Sequence, residues 1–530
     1  MHVFSRLGAA GSACDVSECR GCSMKVISER RAAELIEDGW TVIPGGFGSC
    51  GHPDGLTRAI GDRYKREGRP RKLSLLFASA AGDLEERGLD VLAQSGLVDK
   101  VIGGFWGLIP RLGNMARLGE IEAHNWPQGV ISQLFRAIAA KKPGVISNIG
   151  LNTFVDPDYE GGRLNMRAAR ALVQKIFIND KSMLFYPAIK VDCALLRGTS
   201  CDPLGNISME REVSHSDALA QAMAVKNCGG IVIVQVESLV GLHDIEPHDV
   251  KVPGLLVDYV TVSRPGEHPQ TYGVAHDSAF TRPGVLTPGT RSISCAERVI
   301  ARRALQEIQH QNARVINLGI GIPVAIAQAA EELGCAESMS FTVESGVIGG
   351  RPAAGLSFGA SYRPQSIIEQ AALFDFYEGG GIDVACLGFA EMDSFGNVNV
   401  SKFGQKLQGA GGFINISQSA RCIIFCGTFT AVGLVVNINK GQIRIVREGR
   451  VSKFVRQVSH LTFSGDHSKS LGQRVIYVTE RAVFALRDRV VYLEEVAPGI
   501  SVERDIMPFI EGGFVVSSSC KLMSEDLFFL

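Results

Sequence analysis

Apolar and polar positions along this chain fall into strand-length and helix-length blocks separated by glycine-rich turns. The block 41–43, Thr-Val-Ile, leads into Gly45-Gly46-Phe47-Gly48 and Pro53, then into a helix-like stretch from Asp54. The block 314–316, Arg-Val-Ile, leads likewise into Gly319-Ile320-Gly321 and Pro323, then into a helix-like stretch over 324–333. Each reads as strand, glycine turn, proline near the first helical turn, then helix. Asp202-Pro203-Leu204-Gly205-Asn206 and Asp393-Ser394-Phe395-Gly396-Asn397 each follow an apolar strand and precede an alternating one, which predicts two matching hairpin turns. The blocks 231–234 and 422–425 are apolar without alternation, as expected of parallel strands covered on both faces. Such echoes, at a spacing far longer than a solenoid repeat, predict an internal duplication. The fold class is therefore α/β, built as two similar open α/β domains.

Length agrees, because 530 residues exceed one ordinary core. Residues 245–290 carry Pro247, Pro253, Pro265, Pro269, Pro283 and Pro288 and read as irregular chain and linker. A helical pattern resumes near Ala296, so the expected division is a domain over 24–289, a second over 290–520, and a tail over 521–530. The first 23 residues lack hydrophobic periodicity and read as a disordered extension or start-site artefact ahead of Met24-Lys25-Val26-Ile27. A mitochondrial presequence there is opposed by Asp15, Glu18 and the absence of an amphipathic stretch. The net charge of −1 gives no general attraction for nucleic acid or an anionic membrane. The longest apolar run, about 422–436, is too short and too interrupted to span a bilayer. The 13 cysteines lie scattered through expected helices and strands, which points to reduced thiols and a cytoplasmic setting. Cys14, Cys19 and Cys22 lack a fourth nearby ligand, so no metal site is expected.

The candidate chemistry centres on Glu344. The apolar, β-favouring stretch 339–343 predicts a buried strand that runs into Glu344, followed by Ser345 and Gly346, residues too small to cover a carboxylate. Burial there raises a carboxyl pKa unless hydrogen bonds favour the ion. Gly409-Ala410-Gly411-Gly412 is either a flexible connection or a set of backbone N–H groups for an oxyanion. Gln128, in Asn125-Trp126-Pro127-Gln128-Gly129, either donates its amide to a substrate oxygen or starts the helical stretch 130–139. Gly46 to Gly51 fits G-x-G-x-x-G after a strand. The strand over 72–78, however, does not end in the acidic residue a dinucleotide site needs, and Asp83 follows only after Gly82.

Taken in order, these segments resemble the family I coenzyme A transferases, particularly the acetate or propionate CoA-transferases, with ketoacid CoA-transferases more distant. The resemblance runs over about 24–515. It rests on Gly45-Gly46-Phe47-Gly48 with Gly51 and Pro53, Pro127-Gln128-Gly129, Leu318-Gly319-Ile320-Gly321-Ile322-Pro323, Glu344-Ser345-Gly346, Val400-Ser401-Lys402-Phe403-Gly404, Gly409 to Ser417, Thr479-Glu480-Arg481-Ala482-Val483-Phe484 and Glu495 to Ile500. It implies an active site between two α/β domains. By resemblance Glu344 is the nucleophile that carries a glutamyl-CoA thioester, and Gln128 with Gly411 and Gly412 supplies oxyanion contacts. Substrate or CoA contacts are expected at Gly46, Gly48, Gly319, Gly321, Ser345, Gly346 and Gly409.

The expected activity is ping-pong transfer of CoA from a short-chain acyl-CoA to a free carboxylate. No permanent cofactor is required, and a homo-oligomer is expected. Two other readings stay open: acyl-CoA hydrolysis with Glu344 activating water, and a ligand-binding relative of the same fold.

Overall fold

The computed structural model describes residues 25–283 and 292–529. The expected division near residue 290, the first 23 residues and the cluster Cys14, Cys19 and Cys22 all lie outside the described residues.

Two large sheets organise the chain. The first contains β1 (Lys25–Val26), β2 (Thr41–Pro44), β3 (Leu73–Ser79), β4 (Val98–Phe105), β5 (Glu122–Asn125), β6 (Cys193–Cys201), β7 (Ile231–Leu239) and β8 (Tyr259–Val262), in spatial order β1-β8-β7-β6-β2-β3-β4-β5. All neighbours along this path are parallel. The second contains β9 (Val315–Leu318), β10 (Ser340–Val343), β11 (Val347–Ile348), β12 (Ser366–Ile367), β13 (Val384–Gly388), β14 (Cys422–Cys426), β15 (Arg474–Val478), β16 (Ala482–Arg487), β17 (Val490–Val496) and β18 (Val515–Leu522). Its order is β12-β11-β10-β9-β13-β14-β15-β16-β17-β18.

The duplication is visible in the strand order. β3-β2-β6-β7-β8 of the first sheet corresponds to β10-β9-β13-β14-β15 of the second. The two aspartate turns match bond for bond. Asp202 accepts from the N–H groups of Leu204 and Asn206 and from the Asn206 side chain, and Asp393 does the same with Phe395 and Asn397. The unalternating blocks are central: β7 lies between β6 and β8, and β14 between β13 and β15.

Each sheet is covered on both faces, so alternate residues of a strand enter different cores. In β3, Leu73, Leu75 and Phe77 join an outer core with Leu56 and Ile60 of α1 (Asp54–Glu67), while Leu76 and Ala78 face inward. In β14, Cys422 and Ile424 face an outer helix layer containing Ile300, Ile326 and their neighbours, while Ile423 and Phe425 face inward. The inward faces share one continuous core. It is filled by α2 (Gln128–Ala139), α3 (Ala218–Asn227), α4 (Gln370–Phe376) and α5 (Phe413–Ser419). The molecule is thus layered helix, sheet, helix, sheet, helix.

Three expectations change. The proline-rich region is not a free linker, because β8 inserts between β7 and β1 as a sheet strand. Its prolines flank that strand, at Pro253 and Pro265, and so cost no ladder hydrogen bond. The expected tail is packed: β18 runs to Leu522, and Met523, Leu527 and Phe528 are buried in the second outer core. The helix expected over 130–139 starts earlier, at Gln128, with Pro127 at its N-cap.

One polar junction between the two halves lies at an edge of the inner layer. Asn125, fully buried at the end of β5, donates to the carbonyls of Gly103 (2.7 Å) and Gly104 (2.5 Å) and accepts from the N–H of Ala410 (2.8 Å). Gln408 O accepts from Trp106 N, Gly104 O from Gly411 N, and Gly411 O from Gln128 N, at 2.7, 3.0 and 3.0 Å. Asn125→Ala strips three bonds from a dry junction and is expected to cost about 3 kcal/mol. A first thermal or urea transition unchanged from wild type would show that the halves are held elsewhere.

Candidate active site

Glu344 stands in the tight turn between β10 and β11, where Thr342 pairs with Ile348 and Val343 with Val347. The turn closes by a bond from Gly346 N to Val343 O at 3.1 Å. Gly346 has φ +108°, and a Cβ there would collide with the carbonyl of Ile368, so glycine is required twice over. Ser345 is buried and donates to Gly359 O at 2.6 Å, while its own carbonyl accepts from Ser214 Oγ at 2.5 Å. Ser345 and Gly346 therefore hold the turn, and the side chain left over is the carboxylate.

The Glu344 side chain is half-buried, but its Oε2 is sealed from solvent and has no hydrogen-bond partner. Burial pushes its pKa up to about 7, against the opposing help of its own backbone N–H and of Asn317. Asn317 lies in mid-β9, fully buried, and donates to Thr342 O (3.4 Å) and Tyr377 Oη (3.3 Å). The Tyr377 phenol is held neutral by burial and by the nearby Glu344 charge. Neither residue stood out in the sequence, although a lone asparagine within the apolar strand Val315-Ile316-Asn317-Leu318 was a usable signal.

The glycine loop lies over this carboxylate. A Cβ built on Gly412 would stand 3.3 Å from Glu344 Cγ and 3.2 Å from the Phe374 ring, so the absence of a side chain there permits the approach. Its φ of −78° is ordinary, and space rather than backbone freedom explains the glycine. The two candidate donors separate. Gly411 N–H is committed to Gly104 O, whereas Gly412 N–H has no acceptor among the described residues. Gly409 N–H is likewise used, donating to Ser401 O, and its φ of +71° lets the chain pass against Gly104 and Trp106.

Gln128 arrives from the other half at the first turn of α2, buried, with its Nε2 donating to Gln370 Oε1 at 3.1 Å. Its Oε1 sits 3.6 Å from the point a Gly411 Cβ would occupy, so the amide adjoins the glycine loop. Gly319 and Gly321 follow β9 at the same strand ends as Glu344. Gly321 is exposed with open space around it, and Gly319 donates to Cys386 O. Gly46 and Gly48 form a tight loop whose Phe47 and Cys50 exchange backbone bonds at 2.9 Å, while Gly48 N–H donates to Ser79. Those N–H groups are spent internally, which removes the dinucleotide reading. Phe47 packs instead on Phe358 of the other half.

A carboxyl group with an orphan oxygen, an unused backbone N–H in the adjoining glycine loop and a side-chain amide from the opposite half make an arrangement suited to acyl chemistry. A coenzyme A transferase family model matches residues 26–263. Over 507 residues the chain is 42% identical to acetate CoA-transferase YdiF of Escherichia coli strain K12, covering 95% of each protein. The chain belongs to the coenzyme A transferase family. Caffeate CoA-transferase of Acetobacterium woodii is 42% identical over 514 residues, 95% of this chain and 97% of that protein. The crystal structure of YdiF apoenzyme from Escherichia coli O157:H7 matches with a TM-score of 0.89 at 41% identity, covering 95% of this chain and 96% of that one. The same protein has been solved as a thioester complex with CoA. Human succinyl-CoA:3-ketoacid coenzyme A transferase 2 is more distant, at 25% identity over 73% of this chain.

The raised pKa of Glu344 makes a stability prediction for this CoA-transferase that is independent of turnover. A carboxyl with an unfolded pKa near 4.5 and a folded pKa near 7 loses stability as pH rises through that window. Glu344→Gln has no charge to bury. It is expected to match wild type in Tm at pH 4.5 and to be more stable by about 3 kcal/mol at pH 8. Parallel Tm curves for the two proteins across this range would contradict the assignment.

Proposed function

We propose that Glu344 is the nucleophile of a ping-pong transfer of CoA from a short-chain acyl-CoA to a free carboxylate. The observation that carries this reading is the orphan Glu344 Oε2 beneath Gly412, at the seam where Gln128 of the other half meets the glycine loop. The ionised Glu344 attacks the acyl-CoA thioester carbonyl, and the C–S bond breaks to give a glutamyl–acyl anhydride and CoA thiolate. The thiolate then attacks the glutamyl carbonyl, releasing the first carboxylate and leaving a glutamyl-CoA thioester. An incoming carboxylate reverses both steps. Each tetrahedral species carries a negative oxygen. Gly412 N–H and the Gln128 amide are the groups suited to meet it, with Gly411 contributing position rather than a donor.

Holding the acyl group and CoA on the enzyme keeps the thioester energy from being lost to water, and the dry inter-half seam favours this. The relatives named for acetate and caffeate transfer support acyl-CoA and free carboxylate as substrates. Among the described residues no helix is long and apolar enough to cross a membrane, and no group of His, Cys, Asp or Glu is arranged to hold a metal. No disulfide joins the described cysteines, which supports a cytoplasmic setting. We assign the protein to the cytoplasm as a homo-oligomer of acyl-CoA metabolism, with CoA as substrate rather than resident cofactor.

Intact-mass measurement after incubation with acetyl-CoA or propionyl-CoA tests this. Wild type is expected to gain one CoA-sized adduct that maps to Glu344, and Glu344→Ala to gain none and to lose at least about 10³-fold in kcat. Turnover by Glu344→Ala at the wild-type rate would sink the nucleophile. Stoichiometric release of CoA without an acceptor, and no adduct, would favour hydrolysis.

A further inference from the structure

Behind Gln128 lies a chain of buried polar side chains that the transfer mechanism does not use. Gln128 Nε2 donates to Gln370 Oε1 at 3.1 Å, and Gln370 Nε2 donates to Asp217 Oδ2 at 2.7 Å and to Ser132 Oγ at 2.5 Å. Ser132 Oγ in turn donates to Asp217 Oδ2 at 2.9 Å. All four residues are buried, with Asp217 at 2% exposure. Three inner helices supply the members: Gln128 and Ser132 from α2, Gln370 from α4, and Asp217 from the residue preceding α3.

Asp217 occupies the N-cap of α3, a position where an aspartate ordinarily accepts from the first-turn N–H groups. Here its side chain makes no capping bond, and the carboxyl turns to Gln370 instead. Its Oδ1 is sealed in the interior without any partner. A carboxylate left in that state is costly, whereas a neutral acid tolerates it better. Burial pushes the Asp217 pKa up to about 7. The charged groups acting on it are Glu369, at the start of α4, which raises it, and Arg136 of α2, which lowers it. His215, two residues earlier, is held neutral by burial with a pKa of about 4.

An ionised aspartate only accepts. It fixes Gln370 with its nitrogen toward Asp217 and its oxygen toward Gln128, and so turns the Gln128 nitrogen toward Gln370. In that polarity the Gln128 oxygen faces the glycine loop, where the mechanism needs a donor. Rotating both amides end for end leaves every heavy-atom position nearly unchanged and reverses the Gln128–Gln370 and Gln370–Asp217 bonds, while Ser132 O–H still donates to Asp217. Reversal requires a donor at Asp217, and a protonated carboxyl supplies one. Asp217 O–H then donates to Gln370 Oε1, Gln370 Nε2 to Gln128 Oε1, and Gln128 Nε2 points at the loop. Donors aligned in this sense strengthen one another toward the oxyanion.

We propose that Asp217 is a positioning residue whose protonated form sets the polarity of a two-amide relay, through Gln370, and so turns the Gln128 N–H toward the oxyanion. The inference rests on the CoA-transfer reading of Glu344. No proton is transferred to substrate: Asp217 takes its proton from solvent and keeps it through the reaction.

The test is the pH profile of kcat for wild type, Asp217→Asn and Asp217→Leu. Wild type loses rate below pH 7, as Glu344 protonates, and again above pH 7, as Asp217 ionises, by up to about tenfold at pH 8. Asp217→Asn offers an N–H at every pH, so the acid limb stays and the alkaline limb disappears. Asp217→Leu offers no donor, and kcat falls about 100-fold with KM for acyl-CoA changed less than about threefold. An alkaline limb retained in Asp217→Asn, or a Leu variant that folds with wild-type kcat, overturns the relay. Formation of the Glu344 adduct by wild type in the same experiment keeps the transfer reading separate, because its absence would defeat that reading and not the relay alone.

Discussion

The geometry of the site depends on the contact between the ends of β4 and β5 and the loop 408–412. Asn125 is its centre, a fully buried amide with both ends satisfied: its nitrogen by two carbonyls of its own half and its oxygen by Ala410 N–H of the other. A buried amide with one end unpaired would carry a penalty of about 1–3 kcal/mol, so the junction is strongly specified in one register. That register fixes Gly412 over Glu344 and spends Gly411 N–H on Gly104. A shift of one residue would exchange the two glycines and put the committed N–H over the carboxylate.

The site is consequently assembled from parts with no rigidity of their own. Glu344 sits on a turn pinned by Gly346 to Ile368 and by Ser345 to Gly359 and Ser214. Gln128 sits on the first turn of a helix whose far side packs in the shared core. Local elements supply orientation, and the inter-half core supplies distance. The price is electrostatic: burial pushes the pKa of both Glu344 and Asp217 up to about 7, well above the usual carboxylate range. Strain of this kind is common where charge is kept for chemistry.

Much of the fold was legible in the sequence for a clear reason. Duplicated halves repeat the same local signals, so the two glycine turns, the two aspartate turns and the two unalternating strands each supported the reading of the other. Prolines misled, since density alone does not reveal that those around β8 flank the strand rather than interrupt it. The C-terminal segment misled because Leu527 and Phe528 are too few to show a periodicity, yet both find a core. At the site, Glu344, Gln128 and the glycine loop carried a motif, whereas Asn317, Tyr377, Asn125, Gln370 and Asp217 did not. These act through partners distant in the chain, and no spacing in one sequence encodes such a meeting.

By itself the sequence determined the α/β class, the duplication, the strand that ends in Glu344, and the residue types from which the chemistry is made. These follow from local propensity and period, which act over a few residues. Only the tertiary structure decided which glycine N–H is free, that Ser345 and Gly346 hold the turn, and that Asp217 faces Gln128 through Gln370. Each of those is settled by hydrogen bonds between segments apart in the chain, by 14 residues at Ser345 and by more than 80 at Asp217 and Gln128, or by the space a missing side chain leaves. Donor availability and burial are properties of the packed molecule, and the chain acquires them only when its halves close on one another.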